Sequence, residues 1–221
     1  MAAHDSLRLE QVRKRVADFT LEADFELAPG ERACLVGPSG SGKTSLLRLI
    51  AGLESPDSGR VRVGSRDLTA LAPEKRGIGM IFQEQALFPS MSSIENAAFG
   101  LRVRGVPRAE RERQAREWLE RLGLGSRADA AVGTLSGGER QRVAFVRALI
   151  WKPTVLLLDE PFSALDASLR DVLRQDLLSL HREWPVPLLM VSHDAEDLRA
   201  IANVRLEIRG DSRGVRSVAR S

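Results

Sequence analysis

Apolar and polar positions follow two different periods along this chain. Continuous apolar runs, typical of strands buried on both faces of a parallel sheet, occupy residues 33–36, 155–158 and 188–191. Shorter or alternating stretches predict further strands at 7–10, 19–27, 61–63 and 79–83. The first two come early in the chain, before a turn at residues 28–31, so we expect an antiparallel part near the N-terminus.

Apolar residues recur at helical spacing in four other stretches. These are residues 43–53, 107–122, 137–151 and 169–180, the last with Leu169, Val172, Leu173, Leu177 and Leu180 on one face. Strands that alternate with helices predict an α/β fold with a parallel sheet core. We expect one domain over residues 1–221, with a helical subdomain inserted at about 86–150, and a frayed hairpin or tail after residue 209.

Composition and charge narrow the classes of protein. The chain has 221 residues, 43% of them hydrophobic, and a formal net charge of +3 from 33 basic and 30 acidic side chains. This mixed surface does not indicate a nucleic-acid partner. The single Cys34 rules out an internal disulfide. The first ten residues lack an apolar signal core, and no run approaches the ~20 apolar residues of a membrane span, so another polypeptide would have to bring the chain to a membrane.

A phosphate-binding loop follows the apolar run at 33–36. Its residues, Gly37-Pro38-Ser39-Gly40-Ser41-Gly42-Lys43-Thr44, match G-x-x-x-x-G-K-[ST] at every fixed position. The glycines let backbone N–H groups turn toward phosphates, and the following helix adds a favourable field for anions. We expect Lys43 to reach the β- and γ-phosphates and the Thr44 hydroxyl to bind Mg²⁺. By itself the motif predicts a protein of P-loop fold that binds a nucleoside triphosphate.

Two acids, Asp159 and Glu160, end the apolar run at 155–158. Ligands of open α/β sheets bind at the carboxyl ends of the strands. Asp159 is predicted to hold Mg²⁺ and Glu160 to polarise the attacking water as a general base. An acid pair that merely starts a loop or caps a helix would be the ordinary alternative, but the phosphate loop upstream favours the catalytic interpretation.

Ser136-Gly137-Gly138-Glu139 fits a capping box, with Ser136 as the N-cap of a helix and Glu139 three residues on. A capping box does not require two glycines. A capped helix with glycines in its first turn would expose N–H groups to an incoming phosphate, so both interpretations can hold together.

With these motifs the chain resembles the nucleotide-binding subunits of ABC transporters over nearly its whole length. Further matching elements, in chain order, are Gln83 after Ile81-Phe82, the signature Leu135-Ser136-Gly137-Gly138-Glu139-Arg140-Gln141, Ser163-Ala164-Leu165-Asp166 and Val191-Ser192-His193-Asp194. The resemblance implies that Gln83 contacts Mg²⁺ and senses the permease, that 163–166 packs across a dimer, and that His193 contacts the γ-phosphate. The stretch 79–101 is similar to bacterial importers.

The resemblance implies an ATPase in which two copies, or two paired ABC subunits, sandwich two ATP molecules. Residues 37–45, Gln83, Asp159, Glu160 and His193 of one chain would meet Ser136, Gly137 and Gly138 of the other. The expected partners are transmembrane permease subunits and a substrate-binding protein, at the cytoplasmic face of the bacterial inner membrane. An ABC exporter ATPase and a non-transport ABC ATPase remain as alternatives, and the transported substrate is not encoded here.

The chain departs from the family in three ways. Only a short tail follows His193, so a C-terminal regulatory domain is expected to be absent. The phosphate loop ends Lys43-Thr44-Ser45, where the family usually has Lys-Ser-Thr. The family stacks adenine on an aromatic residue near the N-terminus, yet the chain has no Tyr and residues 12–16 hold no aromatic. We expect a loosely held base, with an Arg15 stack or a moved Phe19 as partial substitutes.

Overall fold

The computed structural model describes residues 5–84, 86–163, 165–211 and 214–220. Its strands, in chain order, are β1 Leu7–Val16, β2 Phe19–Leu27, β3 Arg32–Val36, β4 Ser58–Val63, β5 Arg66–Asp67, β6 Ile78–Ile81, β7 Val155–Asp159, β8 Leu188–Val191, β9 Val204–Gly210 and β10 Val215–Arg220. Its α-helices are α1 Lys43–Ala51, α2 Pro73–Arg76, α3 Ser93–Ala97, α4 Phe99–Val103, α5 Arg108–Arg121, α6 Gly137–Leu149, α7 Ala167–Glu183 and α8 Ala195–Ile201. The mixed α/β fold predicted from the sequence is confirmed.

The chain divides into two compact units. The first comprises residues up to 80 together with 154–160 and 176–221, and the second comprises 81–153 and 161–175. The predicted bounds of an inserted subdomain, 86–150, stay a prediction. Ala164, in the stretch expected to pack across a dimer, lies outside the described residues.

The strands form one sheet in which an antiparallel part continues into a parallel part. Its strand order is β5-β4-β1-β2-β10-β9-β3-β8-β7-β6. Strand β1 pairs antiparallel with β2 and β4, whereas β3, β7 and β8 pair parallel with one another in the order β3-β8-β7. This arrangement confirms the parallel core and the antiparallel N-terminal part.

The end of the chain is a hairpin built into the middle of the sheet. Strand β9 runs parallel to β3, β10 runs parallel to β2, and the two strands pair antiparallel with each other. The hairpin alternative of the expectation is confirmed, but the fraying was wrong for the described residues of β9 and β10. Val218 and Ile208 are buried in the core of the first unit, and their burial together with pairing on both sides keeps the hairpin in place.

Helix α1 carries the phosphate loop at its N-terminus and is anchored at its C-terminus by a buried arginine. The Arg76 side chain is 2% exposed and donates hydrogen bonds to the carbonyl oxygens of Leu49, Ile50, Thr69 and Leu71 at 2.8–2.9 Å. The first two of these oxygens belong to the last turn of α1, where backbone carbonyls lack helical partners and a cation is favourable. Burial lowers the pKa of Arg76 below its ordinary value.

The second unit contains a small helical core. Helix α3 packs against α5 and α6, and its own N-terminus has a capping box in which Ser92 and Glu95 bond each other's backbone. The predicted amphipathic helix at 107–122 is confirmed as α5, which buries Ala115 and Leu119. On its outer side Arg113 pairs with Glu110 and Glu117. These exposed pairs contribute little to stability but keep the surface hydrated.

Two apolar positions lie outside the faces that their spacing predicts. Helix α1 ends at Ala51, where Gly52 adopts a left-handed conformation, so Leu53 falls beyond the helix and is 48% exposed. On α7, Leu173, Leu177 and Leu180 are buried as predicted, but Val172 is 55% exposed. The buried face of an amphipathic helix is narrow, so apolar residues at the margin of the 3.6-residue pattern can still lie in solvent.

Candidate functional site

The phosphate loop joins β3 to α1 in the first unit, and its glycines meet specific geometric demands. Gly40 and Gly42 have φ of 69° and 102°, a region that favours glycine. A Cβ on Gly42 would stand 3.2 Å from two ring carbons of Phe19, and one on Gly37 would stand 2.9 Å from Ser41 Oγ. The tip at Pro38, Ser39 and Gly40 is exposed. The loop therefore packs against Phe19 at Gly42, while its tip at residues 38–40 faces solvent.

Lys43 lies at the first position of α1 and closes the loop on itself. Its Nζ donates to the carbonyl oxygens of Gly37 and Pro38 at 2.9 Å each. Burial lowers the pKa of the ammonium, while the nearby carboxylates of Glu160 and Asp159 act in the opposite direction. A buried ammonium whose hydrogen bonds go to neutral carbonyl oxygens can exchange them for bonds to an anion.

A buried hydroxyl in the same loop lacks a partner. Ser41 is 3% exposed, and its Oγ makes no hydrogen bond within the described part of the chain. Buried polar groups are normally paired, so such an atom marks a place where a ligand can supply the missing bond. Ser45, further along the loop and half-buried in the first turn of α1, offers a second hydroxyl beside Thr44.

Asp159 is the last residue of β7 and lies next to the loop. It is 4% exposed and accepts a hydrogen bond from the Thr44 hydroxyl. Burial raises the pKa of this carboxyl, which the Thr44 bond partly offsets. The structure therefore brings together Thr44 and Asp159, both predicted to hold Mg²⁺. Among the described residues, no cluster of three or more His, Cys, Asp or Glu side chains could hold a metal ion.

Glu160 follows Asp159 in an unusual backbone conformation. Its φ is +47°, a left-handed value that costs energy in a residue with a side chain. The Glu160 N–H donates to the carbonyl oxygen of Val191 at 3.0 Å, which ties the end of β7 to the end of β8. Strain of this kind persists where the surrounding structure holds it and clusters at functional sites.

His193 lies beside Glu160 in the structure, and its expected contact with a γ-phosphate stays a prediction. Its Nε2 lies 3.2 Å from Oε1 of Glu160, and its side chain is 55% exposed. Ser192, which precedes His193, holds this segment: its Oγ donates to Asp197 at 2.5 Å and accepts from the Asp194 N–H at 3.1 Å. Asp197 is 3% exposed and positions this loop. The sequence analysis missed it, although Ser-His-Asp-x-x-Asp shows the spacing.

The signature stretch begins α6 in the second unit. Ser136 Oγ accepts from the Glu139 N–H at 3.2 Å, and the Ser136 N–H donates to Glu139 at 2.7 Å, so the predicted capping box is present. Behind it, Gln141 donates to the Pro161 carbonyl at 2.7 Å and is 2% exposed. This bond fixes the beginning of α6 from within.

The two glycines of this stretch differ in their surroundings. A Cβ on Gly138 would meet Leu169 at 2.7 Å, whereas one on Gly137 would meet nothing within 4 Å, and neither glycine has a positive φ. The fold of the chain therefore does not explain a glycine at 137. Its absence of a side chain leaves the backbone N–H groups of the first turn open to a second molecule.

Gln83 also belongs to the second unit. It comes after the end of β6, because the strand stops at Ile81 rather than at the predicted residue 83, and it is exposed. The expected contact of Gln83 with Mg²⁺ stays a prediction.

Near the N-terminus, the two side chains considered as base platforms lie in different environments. Phe19 is 6% exposed and packs beneath Gly42. Arg15 is exposed, and its Nε donates to the Ala17 carbonyl at 3.2 Å. A third side chain, which sequence reasoning missed, lies here. The Arg216 guanidinium is stacked on Phe19 at 3.7 Å from the ring centroid.

A β-strand, glycine loop and helix, with two acids at the end of β7, a parallel strand of the same sheet separated from β3 by β8, define the class of P-loop nucleoside triphosphatases. Comparison with known proteins gives the family: residues 21–163 match the model of the ABC transporter family. The chain belongs to this family.

The chain is similar to several curated relatives. It is 47% identical over 194 residues to the molybdate/tungstate import ATP-binding protein of Archaeoglobus fulgidus, covering 87% of this chain and 79% of the relative. It is 45% identical to a sulfate/thiosulfate import ATP-binding protein of Chromobacterium violaceum and 44% identical to an Fe(3+) ions import ATP-binding protein of Agrobacterium fabrum. Each match covers 90% of this chain, but only 55% and 57% of those two relatives.

Proposed function

We propose that this chain is the ATP-hydrolysing subunit of an ABC importer. The observation that carries the proposal is the assembly in one unit of the loop ammonium of Lys43, the Thr44–Asp159 pair and the Glu160–His193 pair. Phosphoryl transfer from a nucleoside triphosphate needs an anion cradle, a metal ligand set and a positioned water. The side chains that could supply those parts lie together in this unit, which supports the proposal.

Triphosphate binding is supported by the state of the phosphate loop. Lys43 can exchange the carbonyl oxygens of Gly37 and Pro38 for the β- and γ-phosphates, and Ser41 Oγ can gain the bond that it lacks. Backbone N–H groups of residues 39–45 would complete the cradle at the N-terminus of α1. Each change pairs a buried polar group, so binding the phosphates recovers desolvation energy already spent in folding.

The donor set fits Mg²⁺. A single buried carboxylate and a hydroxyl, supplemented by phosphate oxygens and water, is the usual way in which proteins bind this ion. Asp159 and Thr44 would hold it, and the contact of Gln83 with Mg²⁺ stays a prediction from the sequence. When bound, Mg²⁺ neutralises charge that develops between the β- and γ-phosphates. Because the charged form of Asp159 is disfavoured by burial, a cation beside it also stabilises the ionised carboxylate.

Glu160 and His193 divide the work on the attacking water. Glu160 would accept a proton from the water through its carboxylate, and His193 would donate a hydrogen bond to the γ-phosphate. The two side chains contact each other at 3.2 Å in the structure. Substrate binding would replace that contact, and the tie between Glu160 N–H and the Val191 carbonyl keeps the base in position meanwhile.

The proposed active form is a dimer, either of two copies or of two paired ABC subunits. Gly137 supports this, because its open surroundings are not needed for the fold of its own chain. Ser136, Gly137 and Gly138 of one chain would approach the triphosphate held by residues 37–45 of the other. The hydroxyl of Ser136 already serves the capping box as an acceptor, and it remains exposed to donate a bond to a phosphate.

The relatives' names support import as the process that hydrolysis drives. They are called import ATP-binding proteins for molybdate or tungstate, sulfate or thiosulfate, and Fe(3+) ions. No helix among the described residues is long and apolar enough to cross a membrane. We therefore propose permease subunits as partners, a substrate-binding protein, and a position at the cytoplasmic face of the cell membrane. An exporter or a non-transport ABC ATPase is not favoured by these names.

The substitution Glu160→Gln tests the proposal. It removes the water-activating carboxylate but keeps the size of the side chain and its contact with His193. We expect ATP to bind with unchanged affinity, hydrolysis to fall by about 100-fold or more, and an ATP-dependent dimer to accumulate in light scattering. Lys43→Ala is the matched variant that should lose binding itself. Turnover of Glu160→Gln equal to the wild-type rate would remove Glu160 from its role, and absence of ATP binding to the wild-type protein would overturn the proposal.

A further inference from the structure

Two stacked planar side chains, Arg216 and Phe19, lie against the phosphate loop. The guanidinium carbon of Arg216 is 3.7 Å from the centroid of the Phe19 ring. The edge of that ring lies 3.2 Å from the position that a Cβ on Gly42 would occupy. Arg216 Nη1 also donates a short hydrogen bond to the carbonyl oxygen of Gly40. The guanidinium is thus fixed by a ring on one face and by the loop at its edge.

The backbone places Arg216 here, although it is distant in sequence. Strand β10 pairs parallel with β2, with Val215 opposite Thr20 and Arg216 opposite Leu21. The Thr20 N–H donates to the Gly214 carbonyl at 3.0 Å, which sets this register. The start of β10 therefore lies beside the turn between β1 and β2, next to the residues where the sequence lacks an aromatic side chain.

The chemistry of a stacked guanidinium suits a nucleobase. A guanidinium is flat and has two faces, and in this pair one face of Arg216 is covered by Phe19. Arg216 is only half-buried, so its other side reaches solvent beside the phosphate loop. Planar cations of this kind stack on bases, and an aromatic ring beneath such a cation holds its plane rigid. Phe19 itself is covered by this stack and by Gly42, and Arg15 is held to Ala17.

We propose that Arg216 is the surface on which the base of the bound nucleotide stacks. This inference rests on the proposed function and adds to it a residue that binds the base. A stack reads the flat face of a base rather than its hydrogen-bonding edge. Purine triphosphates should therefore bind with similar affinity, and Arg216 should contribute to ATP and GTP binding alike.

The test compares nucleotides with a ligand that has no base. Calorimetric titrations with ATP, GTP and inorganic tripolyphosphate, each with Mg²⁺, would be made on the wild-type protein and on Arg216→Ala. We expect the variant to lose affinity for both nucleotides by about 5- to 150-fold, with tripolyphosphate unaffected. Arg209→Ala removes an exposed arginine of β9 that pairs with Glu207, and it should bind all three ligands as the wild-type protein does.

A second variant separates the base stack from the hydrogen bond to the loop. Arg216→Lys keeps the charge and a donor for the Gly40 carbonyl but has no flat face, so it should lose nucleotide affinity much as Arg216→Ala does. Equal losses for ATP and tripolyphosphate in either variant would mean that Arg216 only holds the loop, and unchanged affinities would mean that the base lies elsewhere. Both results overturn the inference alone. Failure of the wild-type protein to bind ATP would overturn the proposed function as well.

Discussion

Replacing Arg76 by methionine should destabilise the first unit more than any surface substitution near it. The side chain is 2% exposed and makes four hydrogen bonds to backbone carbonyls. A bond that involves a charged donor contributes about 1.5–3 kcal/mol, so simple addition would exceed what single substitutions normally cost. The sum is reduced because the Leu49 oxygen also accepts from the Gly52 N–H at 3.2 Å and because water can reach the emptied site.

We therefore expect Arg76→Met to lower the free energy of unfolding by about 3–5 kcal/mol. In a chain of this size that corresponds to a fall in melting temperature of about 6–20 °C. Urea unfolding followed by far-ultraviolet circular dichroism would measure the change directly. The free energy of unfolding of Arg76→Lys should lie between those of the wild-type protein and Arg76→Met, because one ammonium can donate to some of the carbonyl oxygens but cannot reach them all.

Arg66→Met is the matched control. Arg66 is an exposed arginine that donates a single bond, to the Lys75 carbonyl at 2.7 Å, and its loss should cost about 0.5 kcal/mol or less. If Arg76→Met loses no more than Arg66→Met, the buried anchor at the end of α1 does not stabilise the fold, and our account of how the phosphate-loop helix is held is wrong.

Two further predictions concern the site. Burial raises the pKa of Asp159 above its ordinary value of 3.8. As the pH rises past that value, the folded protein binds more protons than the unfolded chain, so the free energy of unfolding falls. Asp159→Asn should therefore raise the melting temperature of the nucleotide-free protein at pH 7 and raise it less near pH 4, and equal gains at both pH values would contradict this. Gly137→Ala should keep or raise the free energy of unfolding by up to about 1 kcal/mol, since alanine favours a helix and the site has room, yet it should slow hydrolysis by about tenfold or more because the methyl group keeps a partner's phosphates away. The control Gly133→Ala, also in open surroundings, should change neither quantity. Full activity of Gly137→Ala would remove Gly137 from the proposed interface.

The sequence alone determined those parts of the molecule whose chemistry is local. The phosphate loop, the acids that end β7 and the capping box at Ser136 each depend on a few neighbouring residues, and the structure has all three in the predicted elements. Their residue types are nearly dictated by backbone geometry and by the orphan N–H groups at helix N-termini. The buried strands β7 and β8 were equally predictable, since a short continuous apolar run is typical of a strand that is buried on both faces of a parallel sheet.

Tertiary structure decided which residues far apart in the sequence contact each other. The stretch from residue 209 is rich in arginine and predicts only a frayed hairpin or a tail, yet it completes a hairpin in the sheet because β2 and β3 each leave an edge that the hairpin can pair with. Arg76 and Arg216 look like two of many surface arginines until the fold brings carbonyl oxygens around one and a phenyl ring under the other. The pairing of strands and the burial of a charge depend on which groups meet in space, and no local pattern of residues records that.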